Sequence, residues 1–210
     1  VAGQITELKA QKRNSQRVNV YVNGHFAFGL AAIEAVRLKV GQHLTDAEIA
    51  RLQERDQAEV AYERALNFLS YRPRSVAEMQ RYLTGKKFDT PTVDAVIARL
   101  SQVGLLDDGA FAQYWLENRD SFKPRGCRAL RYELYQKGIA DALIDELLAD
   151  YDEVDAANRA ALSQAQKLAR RRHDVDTFRS KLLAFLNRRG FPYYIARDTV
   201  DRLIAELGDE

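Results

Sequence analysis

A chain of 210 residues that is 46% hydrophobic and 30% charged, with 11 Gly and 4 Pro, can bury a core; it has too little Pro and Gly for disorder or collagen-like repeats. Lysine and arginine number 32 against 30 aspartate and glutamate, which excludes a protein that holds nucleic acid by bulk charge and leaves any electrostatic surface as a local patch. The single Cys127 excludes an internal disulfide and a thiolate-rich zinc site, and His25, His43 and His173 lack the spacing of a metal cluster, so neither metal nor cofactor is expected and a cytoplasmic location is the default.

No apolar run approaches the ~20 residues that span a bilayer, and the opening residues lack the apolar core of a signal peptide. Met79 is the only methionine, so a short leader or tag is expected before Val1.

Val18, Val20 and Val22 alternate with Asn19, Tyr21 and Asn23, and the alternation restarts at Phe26 and Phe28 after Asn23-Gly24. That dipeptide tolerates the two positive φ angles of a type I′ turn, so a β-hairpin is predicted here. Residues 5–9 supply a third strand through a bend at Asn14-Ser15, because an isolated hairpin is only marginally stable. Residues 31–40 then read as a short helix stopped at Gly41. Thr45-Asp46-Ala47-Glu48 has the spacing of a capping box, opening a long helix that runs toward Tyr71 and is ended by Arg72-Pro73-Arg74. Ser75-Val76-Ala77-Glu78 is a second capping box.

From here the chain repeats itself. Leu83-x-x-Lys86-Lys87-Phe88, Leu134-x-x-Lys137-Gly138-Ile139 and Leu186-x-x-Arg189-Gly190-Phe191 share one pattern, their leucines 51 and 52 residues apart. Four residues before each leucine stand Met79, Leu130 and Leu182. Each unit thus ends an amphipathic helix at a glycine-type turn, buries an apolar residue just past it and opens another helix. Lys87 replaces glycine in the first unit. A further helix precedes each pair, over residues 58–70, 109–121 and 155–172; Asp107-Asp108 caps the middle one, and Pro91 fits the first turn of its helix behind Thr90. The fold expected is mainly α: a small β-hairpin and sheet region over 1–56, then three-helix repeats over 57–106, 107–151 and 152–210.

Nucleotide-binding glycine loops, zinc-protease and serine-hydrolase motifs are all missing. Asp107-Asp108 could hold Mg²⁺ or share a proton, but reads better as a helix cap. Cys127 shares a core face with Leu130 and Leu134 rather than standing as a nucleophile. Tyr114 and Trp115 could stack on bases, although Phe111 and Trp115 have core spacing. The better signal is basic. Arg125, Arg128, Arg131 and Tyr135, with Lys123 before them, make a stripe beside that core face, while residues 107–151 as a whole carry a net charge of −3. Arg72, Arg74 and Arg81 occupy the matching corner of the first unit, and Lys181, Arg188 and Arg189 that of the third. These eleven residues are the candidate partner or DNA contacts. Reversing Arg125, Arg128 and Arg131 together is expected to leave folding nearly unaltered, and a chain starting near Asp56 is expected to fold.

Three stretches in this order resemble the RecX family of bacterial recombinase regulators: Ala65-Leu66-x-x-Leu69-x-x-Arg72-x-Arg74-Ser75-x-x-Glu78, then Leu106-Asp107-Asp108-x-x-Phe111-Ala112-x-x-Trp115-x-x-x-Arg119, then Gly126-x-x-x-Leu130-x-x-Glu133-Leu134-x-x-Lys137-Gly138-Ile139. They cover residues 61–148 closely and the third unit loosely. Arg17-Val18-x-Val20 and Phe26-Ala27-Phe28-Gly29 look like the extension that longer members carry. The resemblance implies tandem three-helix repeats in an elongated, curved monomer without a catalytic site. Its implied partners are RecA-type filaments on single-stranded DNA, with duplex DNA as a further ligand. Its implied role is to inhibit strand exchange, ATP hydrolysis and coprotease activity in homologous recombination, DNA repair and the SOS response. The competing reading is a DNA-binding regulator that uses one three-helix unit as a helix-turn-helix reader, for which the arginines of residues 126–136 speak and Glu133 does not.

Overall fold

In the computed structural model, which describes residues 2–12, 14–169 and 174–208, the alternating N-terminal segment pairs as an antiparallel sheet. Strands β1 (Gly3–Gln11), β2 (Asn14–Val22) and β3 (His25–Ala31) are joined by a two-residue β4 (His43–Leu44), in the order β3-β2-β1-β4. Asn23 and Gly24 have φ of 52° and 84°, the two positive angles that a type I′ turn needs. One face carries Ile5, Val20, Val22, Phe28 and Leu30 into a core closed by Leu44 and Ile49. The helix expected over 31–40 contracts to the single turn α1 (Ala32–Ala35). Beyond it the chain tightens into three-residue hydrogen bonds, Arg37 N to Glu34 O and Leu38 N to Ala35 O, which turn Leu38 into the sheet core while Val36 and Val40 stay exposed. Gly41, at φ 92°, then donates to Ile5 O and lays β4 against β1. A strand of two residues has no alternation to read, so β4 was not expected.

Thr45 forms the predicted capping box with Glu48 and starts α2 (Asp46–Leu69), which runs without a break through residues 56 and 57. Asp56 is buried at the middle of this helix, where its carboxylate accepts from Ala31 N at 2.8 Å and from Arg17 Nη2 at 2.7 Å. The contacts divide the chain into two compact units, Val1–Pro73 with Met79–Leu106 and Arg74–Glu78 with Asp107–Glu210, so the sheet and the first helical triplet fold as one body. A chain that starts near Asp56 would lose half of α2 and both partners of that carboxylate. We expect it to lose cooperative unfolding, contrary to the sequence-based expectation. Asp56→Ala in the full chain should cost about 2 kcal/mol, the desolvation of an orphaned Ala31 N–H together with a lost ion pair. Urea unfolding followed by circular dichroism checks both.

The helices follow in triplets. After α2 come α3 (Val76–Gly85) and α4 (Thr90–Gln102); then α5 (Asp108–Phe122), α6 (Cys127–Gln136) and α7 (Asp141–Ala149); then α8 (Glu153–Ala169), α9 (Val175–Arg188) and α10 (Tyr193–Gly208). The cap of α4 is Asp89, one residue before the expected Thr90, with Pro91 in the first turn. The end of the helix expected over 155–172, and His173, lie outside the described residues. Met79, Leu83, Leu130, Leu134, Leu182 and Leu186 are all fully buried. After each leucine the same bond closes the helix: Phe88 N to Leu83 O, Ile139 N to Leu134 O and Phe191 N to Leu186 O. The residue before each has positive φ, at 66° for Lys87, 81° for Gly138 and 89° for Gly190.

Glycine at two of these turns meets a second demand. A Cβ on Gly138 would come within 2.3 Å of Ala77 Cβ, and one on Gly190 within 2.5 Å of Ala129 Cβ and 2.7 Å of Ala129 N. Lys87 is exposed, so its turn bears only the strain of the left-handed conformation. Each docked turn has a companion contact. The first residue of α5, Asp108, accepts from Val76 N at 2.8 Å; the first residue of α8, Glu153, accepts from Cys127 N at 2.7 Å. Burial and the adjacent Asp107 push the Asp108 carboxyl above its ordinary range, against the pull of that N–H. The third triplet packs on small residues: Ala156, Ala157, Ala160, Ala161 and Ala165 of α8 meet Leu182, Leu186, Phe191 and Val200.

Candidate partner-binding site

The candidate basic residues of the middle triplet do not form one free stripe. Arg125 precedes the α6 N-cap, Gly126, and its Nη1 pairs with Glu133 Oε1 at 2.9 Å. Arg131 pairs with Asp145 of α7 at 2.5 Å, and Arg128 reaches Asn187 O at 3.4 Å. The expectation that reversing all three would leave folding unaltered is therefore corrected, because two of them hold carboxylates within the triplet. Arg128 stays exposed, as do Lys123 and Tyr135, which is 61% exposed, and Tyr132 beside it.

Glu133 is the organising group. It lies mostly buried on α6 and receives three donors: Arg125 Nη1, Arg119 Nε at 2.7 Å and Trp115 Nε1 at 2.8 Å. Arg119 and Lys137 both lie over the Trp115 ring, at 4.7 and 4.8 Å from its centre, and Lys137 Nζ reaches Glu78 at 2.6 Å. Arg189, at the C-cap of α9, packs over Phe185 and donates to Pro124 O at 3.1 Å. Burial, then Arg125 and Arg119, depress its pKa below the usual arginine value. Four cations thus gather around two carboxylates, and Arg125 Nε is buried with no hydrogen-bond partner. An assembly short of negative charge, made of planar guanidinium forks, fits phosphate oxygens or a partner's carboxylates.

The first-unit candidates are more scattered. Arg72 donates to Pro73 O at 2.8 Å, Arg74 is half-buried and Arg81 is exposed on α3. In the third triplet Lys181 and Arg188 are exposed on α9, and only Arg189 joins the Glu133 cluster. Asp107 caps α5 through Gly109 N and Ala110 N, and Cys127, half-buried, has its thiol raised to about 11 by burial and Glu153, which suits a packing residue rather than a nucleophile. Trp115, tied by its N–H to Glu133, is not free to stack on a base through an open indole. A cleft of about 550 Å³ between α5, α7 and α8 is lined by Asp120, Glu146, Asp150 and Asp155 with Arg159. Among the described residues, no group of three His, Cys, Asp or Glu is placed to hold a metal.

Arg119, Glu133 and Lys137 were absent from the candidate set. Arg119 stands four residues after Trp115, the spacing that stacks a cation on a ring within one helix, and Glu133 is the only acid in α6. Both signals were present in the sequence, but neither says which arginines the carboxylate gathers.

Three family models match this chain: the Regulatory protein RecX N-terminal domain over residues 3–45, the RecX first three-helix domain over 61–100 and the RecX second three-helix domain over 107–148. The chain is 32% identical to Regulatory protein RecX of Bacillus subtilis, over 98% of this chain and 79% of that one. It is 38% identical to that of Chlorobium phaeobacteroides, over 68% of this chain and 93% of the other. A crystal structure of regulatory protein RecX superposes with a TM-score of 0.72 at 27% identity, covering 96% of this chain and all of that one.

Proposed function

Since this chain belongs to the RecX family of regulatory proteins, we propose that it binds RecA-type recombinase filaments on single-stranded DNA and restrains their ATP hydrolysis, strand exchange and coprotease activity. It acts as a regulator and not as an enzyme, working as a monomer in the cytoplasm within recombination, DNA repair and the SOS response. The observation that carries the contact surface is the cluster of Arg119, Arg125 and Arg189 around the single carboxylate of Glu133. Recombinase filaments offer such a cluster both DNA phosphates and acidic side chains.

The test is a titration of this protein into the cognate recombinase on single-stranded DNA. Amounts below one per recombinase subunit should lower the ATPase, because a ligand along or at the end of a polymer affects many subunits, and the protein alone should hydrolyse nothing. If saturating amounts change neither the ATPase nor filament length in electron micrographs, this reading fails and the helix-turn-helix DNA reader replaces it.

A further inference from the structure

The sheet has a second face that the core does not use. Residues directly opposite one another in antiparallel strands share a face, and the register sets two rows across β1, β2 and β3. Glu7 lies opposite Tyr21, which lies opposite Phe26; Lys9 lies opposite Asn19, which lies opposite Gly29. Between these rows runs Leu8, Val20 and Phe28, which point into the core, so Tyr21, Phe26, Lys9 and Asn19 point away from it.

On this outer face Lys9, Gln11, Lys12, Asn19, Tyr21 and Phe26 line a shallow trough of about 690 Å³. Tyr21 and Phe26 meet edge to face, with centroids 6.0 Å apart and ring planes at 76°, and Phe26 is 59% exposed. An aromatic of that size at the surface of a sheet, whose other face already closes a core, has no packing role. Gln11 Nε2 donates to Asn19 Oδ1 at 2.8 Å, which fixes both amides and leaves Gln11 Oε1 and Asn19 Nδ2 directed outward as one acceptor and one donor. Gly29 beside them keeps the row low, since a Cβ there would come within 3.3 Å of Gln11 Nε2. The charges are Lys9, Lys12 and Arg17 against Glu7. Arg17 is committed to Asp56, and Glu7 pairs loosely with Lys9 at 3.8 Å, both ends more than half exposed. Lys12 carries no ion pair among the described residues.

We propose that this outer sheet face binds single-stranded nucleic acid. Its aromatic pair is a stacking platform for one or two unpaired bases, its amides face base edges, and Lys9 and Lys12 meet the phosphates. A trough this shallow reaches ring faces only where the bases are unstacked, which selects single strands over duplex. The surplus of lysine over glutamate and the outward donor–acceptor amide pair favour a polyanion bearing flat polar rings over an acidic peptide, which has no use for the aromatic pair. This site lies in the sheet, apart from the arginine cluster, and its success or failure is independent of the effect on a recombinase.

The experiment uses the full chain and no recombinase, with a fluorescein-labelled oligo-thymidylate read by anisotropy across a salt series. Phe26→Ala should weaken binding about tenfold, and Phe26→Leu, which keeps apolar bulk but removes the ring, should do nearly the same. Lys9→Ala with Lys12→Ala should make the slope of log affinity against log salt shallower by about 1.4, the loss of two phosphate contacts on a single strand. Circular dichroism should show all variants folded. A 5-bromodeoxyuridine photocrosslink should map to the peptide holding Tyr21 or Phe26. The proposal is overturned if Phe26→Leu binds as tightly as the parent, if duplex of the same sequence binds equally well, if crosslinks fall only within residues 107–210, or if no oligonucleotide binds.

Discussion

Gly126→Ala is expected to destabilise the second unit by about 3 kcal/mol, at the upper end of what overpacking costs. Gly126 has φ −72°, an ordinary value for any residue, so backbone strain plays no part. Its demand is for closeness. A Cβ there would lie 2.4 Å from Gly190 O, 2.5 Å from Gly190 C and 2.6 Å from Phe191 N. These are backbone atoms held by the bond from Gly126 N to Arg189 O at 3.0 Å and by the turn that buries Phe191, so no side chain can rotate away to make room. The turn between α9 and α10 must retreat from α6, loosening the junction with Ala129 as well. Gly85→Ala is the control: nothing lies within 4 Å of the added methyl, and a helical glycine replaced by alanine should gain about 0.5 to 1 kcal/mol. Trp115 is the only tryptophan and lies in the second unit, so its fluorescence in a urea titration reports that unit alone. Equal midpoints for Gly126→Ala and the parent would show that the close backbone approach does not exist in solution.

The second large effect is on binding. Lys123, Arg128 and Arg188 are exposed, and none has a carboxylate partner among the described residues. Changing all three to Glu should alter unfolding by no more than about 1 kcal/mol, as surface charges generally do. Affinity for the recombinase filament should fall at least about a hundredfold, because like charge placed within an interface costs several kcal/mol. Arg125→Glu provides the contrast. It sets a second carboxylate against Glu133 and leaves Arg119 to serve both, so it should lower stability as well as binding. Parallel anisotropy and urea measurements separate the two classes. If the exposed triple variant binds like the parent, the filament contact lies elsewhere on the chain.

Much of the fold was legible because it is written in short-range terms. The hairpin register follows from valine alternation around Asn23-Gly24, the α2 cap from Thr45 and Glu48, and the triplets from the spacing of Leu83, Leu134 and Leu186. What escaped depends on tertiary approach. Residues 31–40 have helical composition, yet the need to bring Leu38 under the sheet cuts the helix to one turn. Asp56 reads as an ordinary solvated acid until the edge of β3 presents Ala31 N–H to it. In the candidate site the types and rough positions of the arginines were readable, but their pairing was not. Arg125 and Arg128 look equivalent on a helical wheel; the chain places one before the helix, against Glu133, and the other on its exposed side.

The two docked turns bear on how such a chain can change over generations. Gly138 against Ala77, with Asp108 on Val76 N, and Gly190 against Ala129, with Glu153 on Cys127 N, are the same joint built twice. Each joint is split across two segments some fifty to sixty residues apart, so a bulky substitution on one side is viable only with an answering deletion of bulk on the other. Duplicating a whole triplet is different: the copy brings its own small turn residue and its own leading acid, and fits at once. Growth and loss by entire repeats should therefore be easier for this architecture than gradual drift at the joints, and length variation among such chains should come in steps of about one triplet.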